Sequence, residues 1–73
     1  MLLRVVCAAE PGTLARIADH FSRMGSVPER VCMTREGAVA AVQIHVNDLT
    51  LAQMEIVALR LRGCPIVETV ELA

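Results

Sequence analysis

The sequence predicts an α+β domain with the ferredoxin-like βαββαβ sandwich fold: a four-stranded antiparallel sheet with two helices on one face. Three observations predict it: apolar runs that alternate with period two, two segments with helical periodicity, and their order along the chain. The order strand, helix, strand, strand, helix, strand is that of the split βαβ arrangement. A chain of 73 residues has room for one such unit, so we expect a single domain over residues 1–73.

The first half of the chain predicts a strand, a helix and a second strand. Residues 2–8 form a short apolar run that ends before Glu10, as a buried strand does. From Pro11, apolar residues recur every three or four positions up to Gly25, which terminates the helix. Residues 27–34 then alternate, and Pro28 within them predicts an edge strand. The expected buried stripe of this helix is Leu14, Ile17, Ala18, Phe21 and Met24.

The second half predicts a strand, a helix and a last strand. Residues 35–37 form a polar break suited to a hairpin, and residues 38–46 carry the strongest period-two pattern in the chain. Thr50 and Gln53 have the spacing of a capping box, Gly63 ends the helix, and residues 66–72 alternate again. We expect Leu51, Met54, Val57, Ala58 and Leu61 to be buried. With both helices on one sheet face, the open face should carry Val39, Ala41, Gln43 and His45.

Composition and charge indicate a protein partner and argue against other classes. Hydrophobic residues make up 55% of the chain, more than one small domain readily hides, so we expect burial against another chain. The alternative is that surface alanine accounts for the excess. A net charge of −1 gives no broad attraction to nucleic acid or anionic lipid. No apolar run approaches the ~18 residues of a membrane span, so we expect a soluble, cytoplasmic protein.

The residues that could carry chemistry have simpler structural roles. Cys7, Cys32 and Cys64 are far apart and form no Cys-x-x-Cys pair, so we interpret them as core or strand residues rather than metal or redox groups. The third strand has no aromatic residue to stack a base, which argues against RNA recognition. We therefore expect no cofactor and no metal.

Two histidines and one acid–hydroxyl pair are the candidate catalytic groups in the sequence. His20 lies on the polar side of the first helix, where we expect a solvated side chain, and His45 is expected to pack at an interface. Asp48 and Thr50 precede the second helix and are interpreted as capping residues. The sequence therefore predicts a protein that is not an enzyme.

The Pro-Gly loop between the first strand and helix is the strongest candidate binding feature. A short loop of this kind leaves backbone N–H groups free at a helix N-terminus, where a carboxylate can be held. The alternative is that Pro11 and Gly12 merely form an efficient strand-to-helix turn.

Residues 5–25, VVCAAEPGTLARIADHFSRMG, resemble the opening of an ACT domain, the small ligand-sensing module attached to enzymes of amino-acid metabolism. The resemblance extends over nearly the whole chain. It is carried by the Pro-Gly-x-Leu loop, the helix phase and the glycine at the helix end. Among ACT domains, the chain is most similar to the stand-alone regulatory small subunits of acetolactate synthase (acetohydroxyacid synthase).

The resemblance implies a homodimer, or a tetramer, in which edge strands pair side by side or sheet stacks on helix. It also implies an amino-acid effector held between chains. Typical members carry Asn or Asp near Ala9 and Asn near Val27, whereas both positions are apolar here. Only Glu10 or Glu29 could then supply an oxygen to the ammonium group. The implied effector-binding positions are Ala9, Glu10, Gly12, Thr13, Leu14, Val27 and Pro28.

Two functions follow as expectations. The first is a regulatory or activating small subunit of an amino-acid biosynthetic enzyme such as acetolactate synthase, whose effector site is weak or silent. The alternative is a free-standing homo-oligomeric sensor that binds an amino acid at the interface between chains.

Overall fold

The computed structural model describes residues 1–73 and has the predicted ferredoxin-like βαββαβ architecture. Two helices cover one face of a four-stranded antiparallel sheet. The strands are β1 (Leu2–Ala8), β2 (Arg30–Glu36), β3 (Val39–His45) and β4 (Val67–Leu72), and the helices are α1 (Thr13–Arg23) and α2 (Leu51–Arg62).

The strand order is β2-β3-β1-β4, which leaves β2 and β4 as the two edges. β1 pairs along its whole length with β3, from Leu2 opposite His45 to Ala8 opposite Val39. The pairing of β1 with β4 shifts register between Val6 and Cys7, whereas β2 pairs with β3 without interruption. The sheet therefore has one irregular edge and one regular edge.

The hydrophobic core lies between the sheet and the helices. It contains alternate residues of the two central strands, together with one face of each helix. The opposite face of β3 carries Val39, Ala41, Gln43 and His45, all exposed or half-buried, as predicted. The buried core residues are Leu3, Val5, Cys7, Ile17, Phe21, Ala40, Val42, Ile44, Val46, Leu49, Met54, Val57, Ala58, Leu61 and Val70.

The bounds predicted for the second strand were wrong. Pro28 precedes β2 instead of lying within it, although β2 is an edge strand as expected. Arg35 and Glu36, predicted as a polar break, continue the strand because the pairing with β3 extends to Glu36 opposite Val39. The turn is confined to Gly37 and Ala38, where Gly37 adopts a φ of 61°.

The predicted buried stripes were wrong at Leu14 and Ala18 of α1 and at Leu51 of α2. In α1 the buried line runs through Thr13, Ile17 and Phe21, while Leu14 and Ala18 are exposed. These three residues follow the i, i+4 spacing of one helix face, and Met24, just after α1, is half-buried against the core. Leu51 is the first residue of α2 and is also exposed, whereas the rest of the predicted α2 stripe is buried.

Asp48 and Thr50 have different roles. Thr50 forms the predicted capping box with Gln53 at the start of α2. Asp48 does not cap α2; its carboxylate accepts hydrogen bonds from the Ser26 hydroxyl at 2.6 Å and the Val27 N–H at 2.7 Å. These bonds, that of Ser26 first, hold the pKa of Asp48 below its ordinary value. Asp48 therefore ties the α1–β2 connection to the β3–α2 connection.

The cysteines and His20 lie in differing environments. Cys7 belongs to the core, where burial and, secondarily, the charge of Glu68 raise the pKa of its thiol. Cys32 and Cys64 are half-buried. His20, predicted to be solvated, is half-buried, and its Nε2 lies 3.4 Å from the Cys64 Sγ. No group of three or more potential ligand side chains is placed to hold a metal ion. Neither helix has the length and apolar character that spanning a bilayer requires.

Candidate functional site

The loop between β1 and α1 is held in shape by Thr13. Its buried hydroxyl donates a hydrogen bond to the Ala8 carbonyl at 2.9 Å and accepts one from the Glu10 N–H at 3.2 Å. Gly12 has a φ of 84°, in the left-handed region that favours glycine. The Thr13 hydroxyl is therefore engaged inside the protein and is not available to a ligand.

The first turn of α1 presents unpaired backbone N–H groups. The Thr13 N–H donates to the Glu10 carbonyl and the Arg16 N–H to the Gly12 carbonyl, but Gly12, Leu14 and Ala15 find no acceptor within the protein. A Cβ added at Gly12 would meet no atom within 4 Å, so this approach is open. N–H groups at the positive end of a helix suit a carboxylate or another small anion.

An apolar groove of about 150 Å³ lies between α1 and the start of β2. Leu14 and Ala18 line it from the helix, Pro28 and Val31 from the other side, and no lining residue is charged. At about 30 Å³ per water molecule, the groove has room for about five waters or one aliphatic side chain. The complete lining is Leu14, Ile17, Ala18, Phe21, Ser22, Ser26, Pro28, Val31 and Ile44. We call it the α1–β2 groove.

Two side chains of the β3–α2 connection, Asp48 and Asn47, hold the connection that leads into β2. Asp48 accepts the Val27 N–H, and the Asn47 amide donates to the Glu29 carboxylate. Because the Val27 N–H is occupied, Val27 offers a ligand only its carbonyl and a side chain that is 80% exposed. The Glu29 carboxylate, expected to be a possible ammonium acceptor, is already engaged by Asn47.

The structure brings some of the predicted effector-binding residues together. Leu14 and Pro28 both line the α1–β2 groove, and Gly12 contributes a free N–H two residues before Leu14. Ala9 instead packs against the core and donates its N–H to the Ala38 carbonyl at 2.9 Å. Glu10 is exposed, so its carboxylate remains available.

Sequence reasoning missed the part of the site that β2 supplies. Val31 lies opposite Ile44 and therefore on the helix-covered face of the sheet, yet it is 45% exposed because β2 extends beyond the helices. Ala18 was assigned to the core. The signal that could have found this groove is the spacing of Leu14, Ala18 and Ser22, which share one side of α1.

A wider depression of about 430 Å³ lies on the side of the sheet covered by α2. It is lined by Leu51, Glu55, Arg62 and residues at the two ends of the chain, and it includes none of the predicted binding positions. The free N–H groups of α1 do not line it either. We therefore place the candidate site at the α1–β2 groove, although it is the smaller space.

Comparisons with known proteins give a structural likeness. No family model and no curated protein sequence matches the chain. The ACT domain from the GTP pyrophosphokinase of Chlorobium tepidum superposes with a TM-score of 0.81 in its crystal structure, at 16% identity, over 96% of this chain and 91% of that chain. Its solution structure gives 0.79 at the same identity, over 96% of this chain and 80% of that chain.

A second protein shares the fold. The C-terminal domain of the MgtC protein from Mycobacterium tuberculosis superposes with a TM-score of 0.64 at 22% identity, over 96% of this chain and 80% of that chain. At such identities the likeness is one of fold. The chain has the ferredoxin-like βαββαβ fold of the ACT domain from Chlorobium tepidum.

Proposed function

We propose that this chain is a non-catalytic regulatory module of the ACT type. In this proposal it acts in the cytoplasm as the regulatory or activating small subunit of an amino-acid biosynthetic enzyme such as acetolactate synthase. The observation that carries the proposal is the α1–β2 groove, an apolar cleft without a charged lining residue; of the three residues with free N–H groups, Leu14 lines it. Such a cleft suits an aliphatic side chain presented by a protein.

The arrangement around the groove favours a protein over a free amino acid. A free amino acid carries an ammonium group, which needs oxygen acceptors at the site. Ala9 and Val27 supply no side-chain oxygen, and one oxygen of Glu29 is already bonded to Asn47, so only the exposed Glu10 carboxylate and the second Glu29 oxygen are left. Each missing contact makes the free energy of binding less favourable by about 1–3 kcal/mol, which lowers the affinity roughly 10- to 100-fold. A protein side chain carries no such charge and lacks this requirement.

The proposal is tested by adding the chain to the catalytic subunit of acetolactate synthase from the same organism and measuring activity against concentration. We expect saturable activation by the native chain. Leu14→Glu should raise the half-saturating concentration about tenfold or more, because it places a charge in the apolar groove. Leu59→Glu is the matched control, since Leu59 is 68% exposed on α2 and does not line the groove. Unchanged enzyme activity with the native chain would overturn the proposed partner.

A second candidate function is the free-standing amino-acid sensor. The free N–H groups of Gly12, Leu14 and Ala15 favour it, together with the exposed carboxylate of Glu10. The free N–H groups can hold a carboxylate, and the Glu10 carboxylate can hold an ammonium group.

Calorimetric titration with valine, leucine, isoleucine and other amino acids tests the sensor function. If the chain is a sensor, Gly12→Val should abolish the binding heat by blocking approach to the N–H groups. Gly37→Val is the control, since Gly37 also has a positive φ but lies in the β2–β3 turn. Absence of heat with every amino acid would reject the sensor and leave the protein-partner proposal standing.

A further inference from the structure

A cysteine and a histidine meet outside the candidate site. The Cys64 Sγ lies 3.4 Å from the His20 Nε2, which is within hydrogen-bonding range for sulfur. His20 belongs to α1, whereas Cys64 lies in the connection between α2 and β4. The two residues are 44 positions apart in the sequence, so no local motif reveals the pair. Neither of them lines the α1–β2 groove.

The contact with this thiol is the one polar contact of the His20 ring. Its Nδ1 is buried and has no hydrogen-bond partner. A buried polar atom without a partner is uncommon in native proteins, and a redox or catalytic role is one recognised reason for it. The ring hydrogen is assigned to Nδ1, which leaves the Nε2 lone pair free to accept the thiol proton. The hydrogen bonding of this ring therefore serves the sulfur alone.

The Cys64 sulfur is held in place and is also within reach of a small reagent. Hydrogen bonds at both the N–H and the carbonyl of Cys64 fix its backbone. Its side chain is half-buried, and the residues on either side of it, Gly63 and Pro65, are exposed. Arg60, four residues earlier, is exposed and takes part in no ion pair, so it attracts reagents that carry carboxylates.

The other two thiols of the chain lack this combination. Cys7 lies in the core, where burial raises the pKa of its thiol. Cys32 is half-buried on the open sheet face, opposite Gln43, and its thiol has no hydrogen-bond partner. A thiol reacts as a nucleophile after it loses its proton, so a neighbouring base promotes its reaction. Of the three thiols, Cys64 alone combines access with such a base.

We propose that Cys64 is a modification site for small disulfides, and that His20 accepts and returns the proton of its thiol. The Sγ proton passes to Nε2 as Sγ attacks one sulfur of the disulfide. The new Sγ–S bond forms, the S–S bond of the reagent breaks, and the departing thiolate takes the proton from Nε2. The products are a mixed disulfide on Cys64 and one free thiol, and His20 ends in its starting state.

Competition among the three native thiols tests the site. The chain is incubated with oxidised glutathione near neutral pH, and the mixed disulfide at each cysteine is measured over time by peptide mass spectrometry. We expect Cys64 to react at least about tenfold faster than Cys32, and Cys7 to stay protected. Equal rates at Cys64 and Cys32 would overturn the proposal. The experiment needs neither an effector nor a catalytic subunit, so its outcome is independent of the proposed function.

Removal of the imidazole tests the role of His20. His20→Phe keeps a ring of similar size without its nitrogens, and it should slow modification of Cys64 about tenfold while the rate at Cys32 stays the same. His45→Phe is the matched control, because the second histidine has no contact with Cys64 and should leave its rate unchanged. Continued protection of Cys7 in the same samples shows that a variant is folded. His20→Gln, which retains polarity but supplies no base, should repeat the loss, and a native rate in both His20 variants would refute the role.

The leaving group provides a readout that packing alone would not change. The alkyl thiolate released from oxidised glutathione needs a proton, whereas the aromatic thiolate released from dithiobis(nitrobenzoate) leaves readily without one. His20→Phe should therefore slow the Cys64 reaction with oxidised glutathione several-fold more than the reaction with the aromatic disulfide. The same fold-loss with both reagents would mean that His20 only shapes access to the sulfur, and proton transfer through Nε2 would be rejected.

Discussion

At the residue scale, Asp48 and Thr13 shape the two sides of the candidate site. Asp48 holds the connection into β2 through Ser26 and Val27, and Thr13 holds the β1–α1 loop through Ala8 and Glu10. Neither side chain offers itself to a ligand. Both hold backbone segments in place, so the polar groups left for a ligand at the start of α1 are the free N–H groups and the exposed Glu10 carboxylate.

Asp48 should make stability depend on acid pH. Its pKa in the folded state is lowered from the ordinary 3.8, so the carboxylate favours folding at pH values above about 4. That contribution is lost as the pH falls through 3.8 to the lower folded-state pKa. Asp48→Asn should therefore be less stable than the native chain at pH 7, and the difference should shrink toward pH 2. Urea unfolding at several pH values measures this.

The cause of the lowered pKa can be checked separately. Ser26→Ala removes the hydrogen bond that contributes most, so the pKa of Asp48 should rise toward its ordinary value. NMR titration of the Asp48 carboxyl carbon reads this directly. An unchanged titration curve in Ser26→Ala would contradict the assigned cause.

Thr13→Val should lower the free energy of unfolding by about 1–3 kcal/mol, because it removes both hydrogen bonds of the buried Thr13 hydroxyl and leaves the Ala8 carbonyl and the Glu10 N–H only the 3.2 Å bond between them. The two side chains have nearly the same volume, so packing is preserved. Thr69→Val is the control, since Thr69 is exposed on β4 and should change stability by no more than about 0.5 kcal/mol. Equal effects of the two variants in urea unfolding would refute the role of Thr13.

Residue roles were the least predictable from sequence. The capping box of Thr50 and Gln53 could be read because its partners lie within one turn. The role of Asp48 could not, because its partners lie more than 20 residues away along the chain. The burial of Thr13 could not be predicted either, because it depends on the position of the Ala8 carbonyl at the end of β1 in the folded chain.

At the element scale, the periodicities predicted the existence and type of every helix and strand. The bounds of β2 were missed because pairing with β3, rather than local composition, carries the strand through Arg35 and Glu36. The exposure of Leu14 and Ala18 on α1 was not predicted, because it depends on how far the sheet extends beyond the helix. With β2 extending beyond the helices, Leu14 and Ala18 face a groove instead of core.

α2 permits a direct comparison of its two faces. Leu61 is fully buried and Leu59 is 68% exposed on the same helix. Leu61→Ala should cost about 2–5 kcal/mol, a large share of the stability of a small domain, through lost contacts and the cavity left behind. Leu59→Ala should change stability by less than about 0.5 kcal/mol. Urea unfolding of both variants measures the difference, and similar losses would contradict the core assignment.

At the scale of the whole molecule, the order of elements predicted the fold class, and the structure confirms it. The sequence does not reveal which edge strand is protected against pairing with a further strand. That depends on the register shift between β1 and β4 and on Arg62 reaching the Val70 carbonyl, both of which arise only after folding. The α1–β2 groove has the same origin, since it forms where α1 stops covering the sheet and β2 continues.

An NMR titration would show directly whether the α1–β2 groove is the binding surface, as we propose. The ¹⁵N-labelled chain is titrated with the acetolactate synthase catalytic subunit, and loss of amide NMR signal is recorded residue by residue. We expect the strongest losses at Gly12, Leu14, Ser26 and Val31, and much weaker losses at the same concentration of catalytic subunit in Leu14→Glu. Strongest losses on the open sheet face, at Ala41 and Gln43, or signals unaffected throughout, would contradict it.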